Sequence, residues 1–464
     1  MKNNRKERDF LGELDVPSDA YYGIQTQRAA DNFQISGLRF GREFIRALGL
    51  IKKAAAETNM ESGKLDPRLG TVIIQAATEV SEGRYDSQFV VDVFQTGSGT
   101  STNMNANEVI ANRANEILSV PLGGKGEVHP NDHVNMSQSS NDVIPTAIHI
   151  AAFKQIDERL LPAMEKLLAS FLAKAQEFDD VVKAGRTHLQ DATPITLGQE
   201  FGGYASQIGH GIVRVQSIRH SLGELAIGGT AVGTGVNAPP TFGGEMVKKL
   251  RVSTRLDLRE AENHFEAQAA QDSLVEASGA MRSVAVSLLK ICGDLRILAS
   301  GPRAGLNEIG LPAVQPGSSM MPGKVNPVIP EAVSQAAAQV IGNDAAVTIG
   351  GFTASLDLNT MMPLMAHNLL TSIELLANSC VTLAMKCVDG ITANEEVCRR
   401  HAEDSPAIAT RLSPIIGYEK AAEIAKESAR TGKSVKDLVI EKKLLPPDEA
   451  ERILDPKRMT RPSV

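Results

Sequence analysis

Five long stretches of helical periodicity, rich in Ala and Leu, dominate the chain between residues 141 and 388. Two lie between residues 141 and 222 and flank the polar loop KAGRTHLQDATP. The others run from about Ala267 to Ser300, from Pro327 to about Gly350, and from about Pro363 to Val388. Apolar residues recurring every three to four positions read as helices rather than strands. The first stretch, roughly Asn141 to Phe178, predicts a rod of about 55 Å at 1.5 Å per residue, far beyond an average helix. Helices of this length bury their apolar stripes against one another, so an all-α bundle is expected. Small residues recur in ASGAMRSVAVSLL and EAVSQAAAQVIGNDAAVTIGG. They suit close helix contact, within one chain or between subunits.

The rest of the chain reads as flanking domains. The first forty residues are short, polar and turn-like, and helical periodicity begins in FIRALGLIKKAAAETN and returns in NMNANEVIANRANEIL. After Gly390 the pattern changes to short helices broken by Gly and Pro. Because 464 residues exceed one ordinary core, three domains are expected: 1–139, 140–390 and 391–464. Aromatic content is 4% with no Trp, so Ala, Leu, Ile, Val and Met must fill the core.

Several functional classes find no support. Net charge is −7 and no Lys/Arg block occurs, so nucleic acid is not an expected partner. The cysteines, Cys292, Cys380, Cys387 and Cys398, contain no C-x-x-C pair, which argues against a zinc knuckle or redox motif. No 18-residue charge-free apolar run appears, and the opening MKNNRKERDF has no apolar segment after its charges. Neither a membrane partner nor a secretory leader is expected, and a cytoplasmic location is the default.

Four polar loops interrupt the helical pattern, and loops on rigid helices are where chemistry is usually placed. TGSGTSTNMN (96–105) puts hydroxyls just before a helix, where an anion or a plain N-cap fits. HPNDHVNMSQSSND (129–142) places Ser139, Ser140 and Asn141 at the start of the longest helix. Its His129 and His133 could suggest a metal, but Pro130 and Asn131 disfavour a helix there and no third ligand is evident, so no metal is expected. GRTHLQDATP (185–194) offers His188 beside Thr187, either as an acid–base group or as a hydrogen-bonded structural histidine. GSSMMPGKVNP (317–327) carries two serines, then Lys324 and Asn326 before the helix opened by Pro327. Its spacing is one residue too long for a phosphate-binding loop, and Val325 stands where that loop needs Ser or Thr. No strand-flanked G-x-G-x-x-G occurs, so no nucleotide cofactor is expected. The residue types suit a small polycarboxylate, since a lysine about 4 Å from a carboxylate contributes roughly 4 kcal/mol at an effective dielectric of 20.

GSSMMPGKVNP resembles the signature of the aspartase/fumarase superfamily, whose pattern is close to G-S-S-x-M-P-x-K-x-N-P. GTSTNMNANE, SQSSND and GRTHLQDATPITLGQE accompany it in the family's order, and the resemblance runs from DFLGELDVPSDAYYGIQTQR to IGYEKAAEIAKE. It implies a three-domain, mostly helical fold and a homotetramer whose central helices form one bundle, each active site drawing on three subunits. It also implies a cofactor-free elimination. Ser318 would act as general base on a C–H next to a carboxylate, giving an enediolate-like species. Thr100, Ser139, Ser140 and Ser319 would hold the reacting carboxylate, and Thr187, Lys324 and Asn326 the other. Asn141 and His188 would face the leaving group, with Glu331 as the partner of His188.

The leaving group divides the family. DFLGELDVPSDAYYGIQTQRAADNFQISG, FIRALGLIKKAAAETN, GTSTNMN, GPRAGLNEIGLP, NPVIPE and CVDGITANEEVC are similar to aspartases; HPNDHVN, SQSSND and GGTAVGTG are similar to fumarases. Aspartases usually carry Thr where this chain has Ser140. By their greater length the aspartase-like stretches favour an aspartate ammonia-lyase, releasing ammonia from L-aspartate to give fumarate. The alternative is a fumarate hydratase acting on L-malate, and a remote one is an inactive structural protein.

Overall fold

A computed structural model describes residues 4–462. The first three residues, which enter the expectation of no secretory leader, and the last two lie outside the described residues. The fold is all-α, as expected. Among the described residues the strands form only two-stranded sheets.

The stretch beginning near residue 141 becomes helix Ser140–Gln155, a π turn at Ile156–Leu160 and helix Leu161–Glu177, with no break between them. Its start is a reciprocal cap. Ser139 accepts the N–H of Asn141 through its hydroxyl, and Asp142 accepts the N–H of Ser139. The four remaining stretches form Leu197–Ser217, Asp272–Leu298, Val328–Phe352 and Met362–Lys386. Pro363 sits in the first turn of the last, where its missing N–H costs no helical bond. The segment Met362–Gly390 is long and apolar enough to cross a membrane by length and composition, and half of its most apolar window is buried inside the protein.

Contacts divide the chain into two compact units. One holds the chain up to Pro162 with Val213–Ala285 and Ala338–Ala377; the other holds Ala163–Ile212, Val286–Ala337 and everything from Asn378. In the first, helices Arg42–Glu61 and Pro67–Ser81 pack through Phe44, Leu48, Ile51, Ile73 and Val80, all buried. Its N-terminal hairpin, Asn4–Asp9 with Gly12–Pro17, is tied down by Arg5, which donates to the carbonyls of Pro17, Ala20 and Tyr22.

In the second unit Phe171, Phe178, Phe201 and Tyr204 form a cluster with ring centroids 5.4–6.1 Å apart. Their tilted and edge-on geometry suits the ring quadrupoles. Toward the C-terminus the short helices Tyr418–Thr431, Val435–Glu441 and Pro447–Ile453 surround Leu412, Ile424, Leu438 and Val439. The long helices still leave apolar side chains in water, among them Leu172, Val213, Val286, Ile349, Phe352 and Met385.

Candidate active site

Thr100 opens the helix Thr100–Ile117, and its hydroxyl lies 2.8 Å from that of Ser98. The turn before it requires Gly99: φ is 73°, and a Cβ there would stand 2.9 Å from Ile144. The unpaired N–H groups of a first helical turn carry partial positive charge, as a carboxylate site needs.

Ser139, Ser140 and Asn141 form a second helix start in the same unit. Asp142 ties that start to the segment at 228–231: its Oδ2 accepts the N–H groups of Gly228 at 3.1 Å and Thr230 at 2.9 Å. The Asn141 amide donates to the carbonyl of Ala231 at 2.7 Å. Burial raises the Asp142 pKa to about 6, against the pull of these donors and of Lys52. Lys52, fully buried, is brought down to about 7 by desolvation, with Asp142 opposing the shift. Behind the same wall the Asn103 amide nitrogen donates to Asn135 Oδ1 at 3.2 Å and to Ser140 Oγ at 3.0 Å.

The second unit presents the other residues. Strands Val182–Thr187 and Gln190–Thr196 pair through a two-residue turn, His188–Leu189, with φ of 56° and 60°. Positive φ at both positions is the type I′ geometry that matches strand twist, usually filled by Asn-Gly. Thr187 and His188 are exposed at its tip, and the His188 imidazole has no partner among the described residues.

The hairpin is anchored by Arg186, which grips Glu308 with two bonds of 2.7 and 3.0 Å. Glu308 also meets His401 Nδ1 at 2.9 Å and Lys183 Nζ at 3.3 Å. Its complete burial pushes the Glu308 pKa upward, but Arg186, Lys183 and His401 outweigh this and hold it below its ordinary value.

In the same unit the loop at 317–326 closes on itself. Gly317 N–H donates to Lys324 O at 2.8 Å, and the Asn326 amide donates to Gly317 O. A Cβ at Gly317 would stand 2.5 Å from that Lys324 oxygen. Ser318 Oγ accepts the N–H groups of Met320 at 3.1 Å and Met321 at 2.9 Å. Two N–H donors on one hydroxyl oxygen favour its deprotonated form. Ser319 and Lys324 are exposed, while Glu331 lies in the first turn of Val328–Phe352 and is not paired with His188 within one chain.

The sequence-predicted residues therefore form two groups. Thr100, Ser139, Ser140 and Asn141 belong to the first unit; Thr187, His188, Ser318, Ser319, Lys324, Asn326 and Glu331 belong to the second. Pro130–Val134 makes a π turn in which Nδ1 of His129 accepts the N–H of Asp132 and Nδ1 of His133 accepts the N–H of His129. Both atoms thus serve the backbone. Sequence reasoning missed the supports: Lys52, Asn103, Asn135, Asp142, Arg186, Glu308 and His401. Only Asp142 carried a local signal, as an acid three positions after Ser139. The others matter through partners distant in the chain.

Comparison with known proteins adds the missing context. The family description "Lyase" matches residues 12–342, and "Fumarase C C-terminus" matches residues 408–461. A class II fumarate hydratase of Halobacterium salinarum is 54% identical over 98% of this chain and 97% of its own. One from Mycobacterium tuberculosis is 55% identical over 96% and 92%. The crystal structure of a class II fumarase from Schistosoma mansoni superimposes with a TM-score of 0.94, at 37% identity and 99% coverage of each chain.

These relatives overturn the expectation of an aspartate ammonia-lyase. Length of similar sequence was the wrong weight. The three short stretches that pointed the other way, HPNDHVN, SQSSND and GGTAVGTG, converge on one wall through Asn135, Ser140, Asp142, Gly228 and Thr230. Two of the aspartase-like stretches, FIRALGLIKKAAAETN and GTSTNMN, reach the same wall, through Lys52 and Asn103. With a family match over most of its length and relatives above 50% identity, the chain belongs to the aspartase/fumarase superfamily of lyases.

Proposed function

We propose that this chain is a class II fumarate hydratase, interconverting L-malate with fumarate and water. The observation that carries the reading is the identity of about half of all residues, over nearly the whole chain, with proteins of that name. The site chemistry supports it. Ser318, with two N–H groups on its oxygen, takes the proton from the carbon next to one carboxylate. The electron pair moves into that carboxylate, where Thr100, Ser139, Ser140 and Ser319 donate to the developing charge. Thr187, Lys324 and Asn326 hold the other carboxylate. The C–O bond on the neighbouring carbon then breaks, and hydroxide leaves as water with a proton delivered on the side of Asn141 and His188. Glu331 orients His188. The cycle calls for no cofactor.

We further propose a cytoplasmic homotetramer in which segments 1–139, 140–390 and 391–464 act as successive domains and each site is shared by three subunits. Apolar side chains left exposed on the long helices support this, for example Ile349 at 57% and Phe352 at 89%. Supplying one preparation with L-malate and then L-aspartate tests the assignment. Fumarate should form from malate, with neither fumarate nor ammonia released from aspartate. Ammonia from aspartate, or no reaction with malate, refutes it.

A further inference from the structure

We propose that Lys52 is a positioning residue which, through Asn135 and Asn103, makes the Ser140 hydroxyl a hydrogen-bond donor toward the substrate carboxylate. The inference rests on the reading of Ser140 given above and extends it to residues behind the site wall.

Lys52 projects from the helix Arg42–Glu61 into the interior of the first unit, where it is 0% exposed. Its Nζ lies 3.0 Å from Asn135 Oδ1 and 3.0 Å from Gln138 Oε1. In its ammonium form Lys52 only donates, which sets an oxygen at each of these positions. The neighbouring bonds agree. Gln138 Nε2 donates to the carbonyls of Val134 and Met136, and Asn135 Nδ2 donates to the carbonyl of Gln138.

With the Asn135 oxygen so placed, only N–H groups can face it. Both Asn103 and Asn107 turn their Nδ2 atoms toward it, each at 3.2 Å. This leaves the Oδ1 atoms of Asn103 and Asn107 buried and without partners among the described residues. Satisfying either by turning its amide over would set oxygen against oxygen at Asn135. A polarity that leaves two acceptors unmet is imposed from outside the amides, by the lysine on the oxygen of Asn135 and by the Gln138 carbonyl on its nitrogen.

The same Asn103 nitrogen donates to Ser140 Oγ at 3.0 Å. A hydroxyl whose oxygen already accepts that bond keeps its hydrogen for another acceptor, which an incoming carboxylate supplies. Without the lysine, Asn135 is held by the Gln138 carbonyl alone, and its turning lets Asn103 turn as well, so that Asn103 Oδ1 accepts the Ser140 O–H and draws it inward.

A double-mutant cycle on the assembled enzyme tests this, reading KM for L-malate and the affinity of succinate, a dicarboxylate that does not react. Ser140→Ala is expected to weaken succinate binding by about tenfold, the scale of one charge-assisted hydrogen bond. Lys52→Met is expected to weaken it by about fivefold. The two together should be no weaker than Ser140→Ala alone, because the lysine then has no hydroxyl to orient. If Lys52→Met costs the same factor whether or not residue 140 carries a hydroxyl, the relay is refuted and the reading of Ser140 survives. Unchanged binding in Ser140→Ala removes that reading and the relay with it. Should Lys52→Met fail to assemble, Asn103→Leu takes its place in the cycle, with the same outcomes deciding.

Discussion

The Ser318 oxygen receives two backbone N–H groups, whereas the His188 imidazole is held by none of the described residues. The two side chains assigned to proton transfer are thus prepared differently: one is tuned by its own loop, the other waits for substrate and neighbours. Replacing Ser318 by Ala should lower turnover of L-malate by several orders of magnitude while the gel-filtration profile stays that of the parent, and near-normal turnover would remove it as the base. A second residue lends itself to titration. Burial alone would raise the Asp92 pKa, but the N–H groups of Phe94, Ser36 and Gly37 and the Ser36 hydroxyl bring it to about 2 from 3.8. A folded-state pKa below the unfolded one favours folding above 3.8 and ceases to do so as pH falls through about 2. Asp92→Asn should therefore be less stable than the parent at neutral pH, and urea midpoints should show the gap closing as the pH drops from 4 toward 2. At this scale the sequence was legible where a loop announced itself, as at Ser318 and His188. Lys52 and Glu308 sit in ordinary-looking helical and loop sequence, and only their three-dimensional neighbours give them a role.

The hairpin that carries Thr187 and His188 is anchored by a buried charge cluster around Glu308. Removing the Glu308 carboxylate would leave Arg186 without its counter-charge, while Lys183 keeps Glu200 at 2.9 Å. Glu308→Ala should cost about 3–5 kcal/mol of stability, the usual penalty for stranding one side of a buried ion pair. Chemical denaturation should show it, and a change under 1 kcal/mol would mean that water readily replaces the carboxylate. Helices were the most legible elements, because periodicity over twenty or more residues leaves little choice; all five long stretches reappear. Their fine structure was less so. The π turn at Ile156–Leu160 lies inside one continuous helical pattern, so periodicity passes over it, whereas the one at Pro130–Val134 forms where Pro130 and Asn131 argue against a helix. The strands at 182–196 are short and lie in a segment read only as a polar loop, where turn geometry rather than hydrophobic alternation decides the pairing.

For the molecule as a whole, the exposed apolar side chains on the long helices are the property to perturb. Ile349→Asp should split the proposed tetramer into smaller species and abolish activity while far-ultraviolet circular dichroism stays helical; a fully active variant of unchanged size would show that this face of the helix stays in water. The sorting of site residues into two groups also bears on inheritance. In the proposed tetramer, where neighbours would complete each site, a lesion is not confined to the polypeptide that carries it. A chain damaged at Ser318 and a chain damaged at Thr100 injure different halves of the constellation, so co-expressing the two should regenerate some whole sites, and a heterozygous cell would inherit a mosaic of catalytic centres instead of a simple half dose.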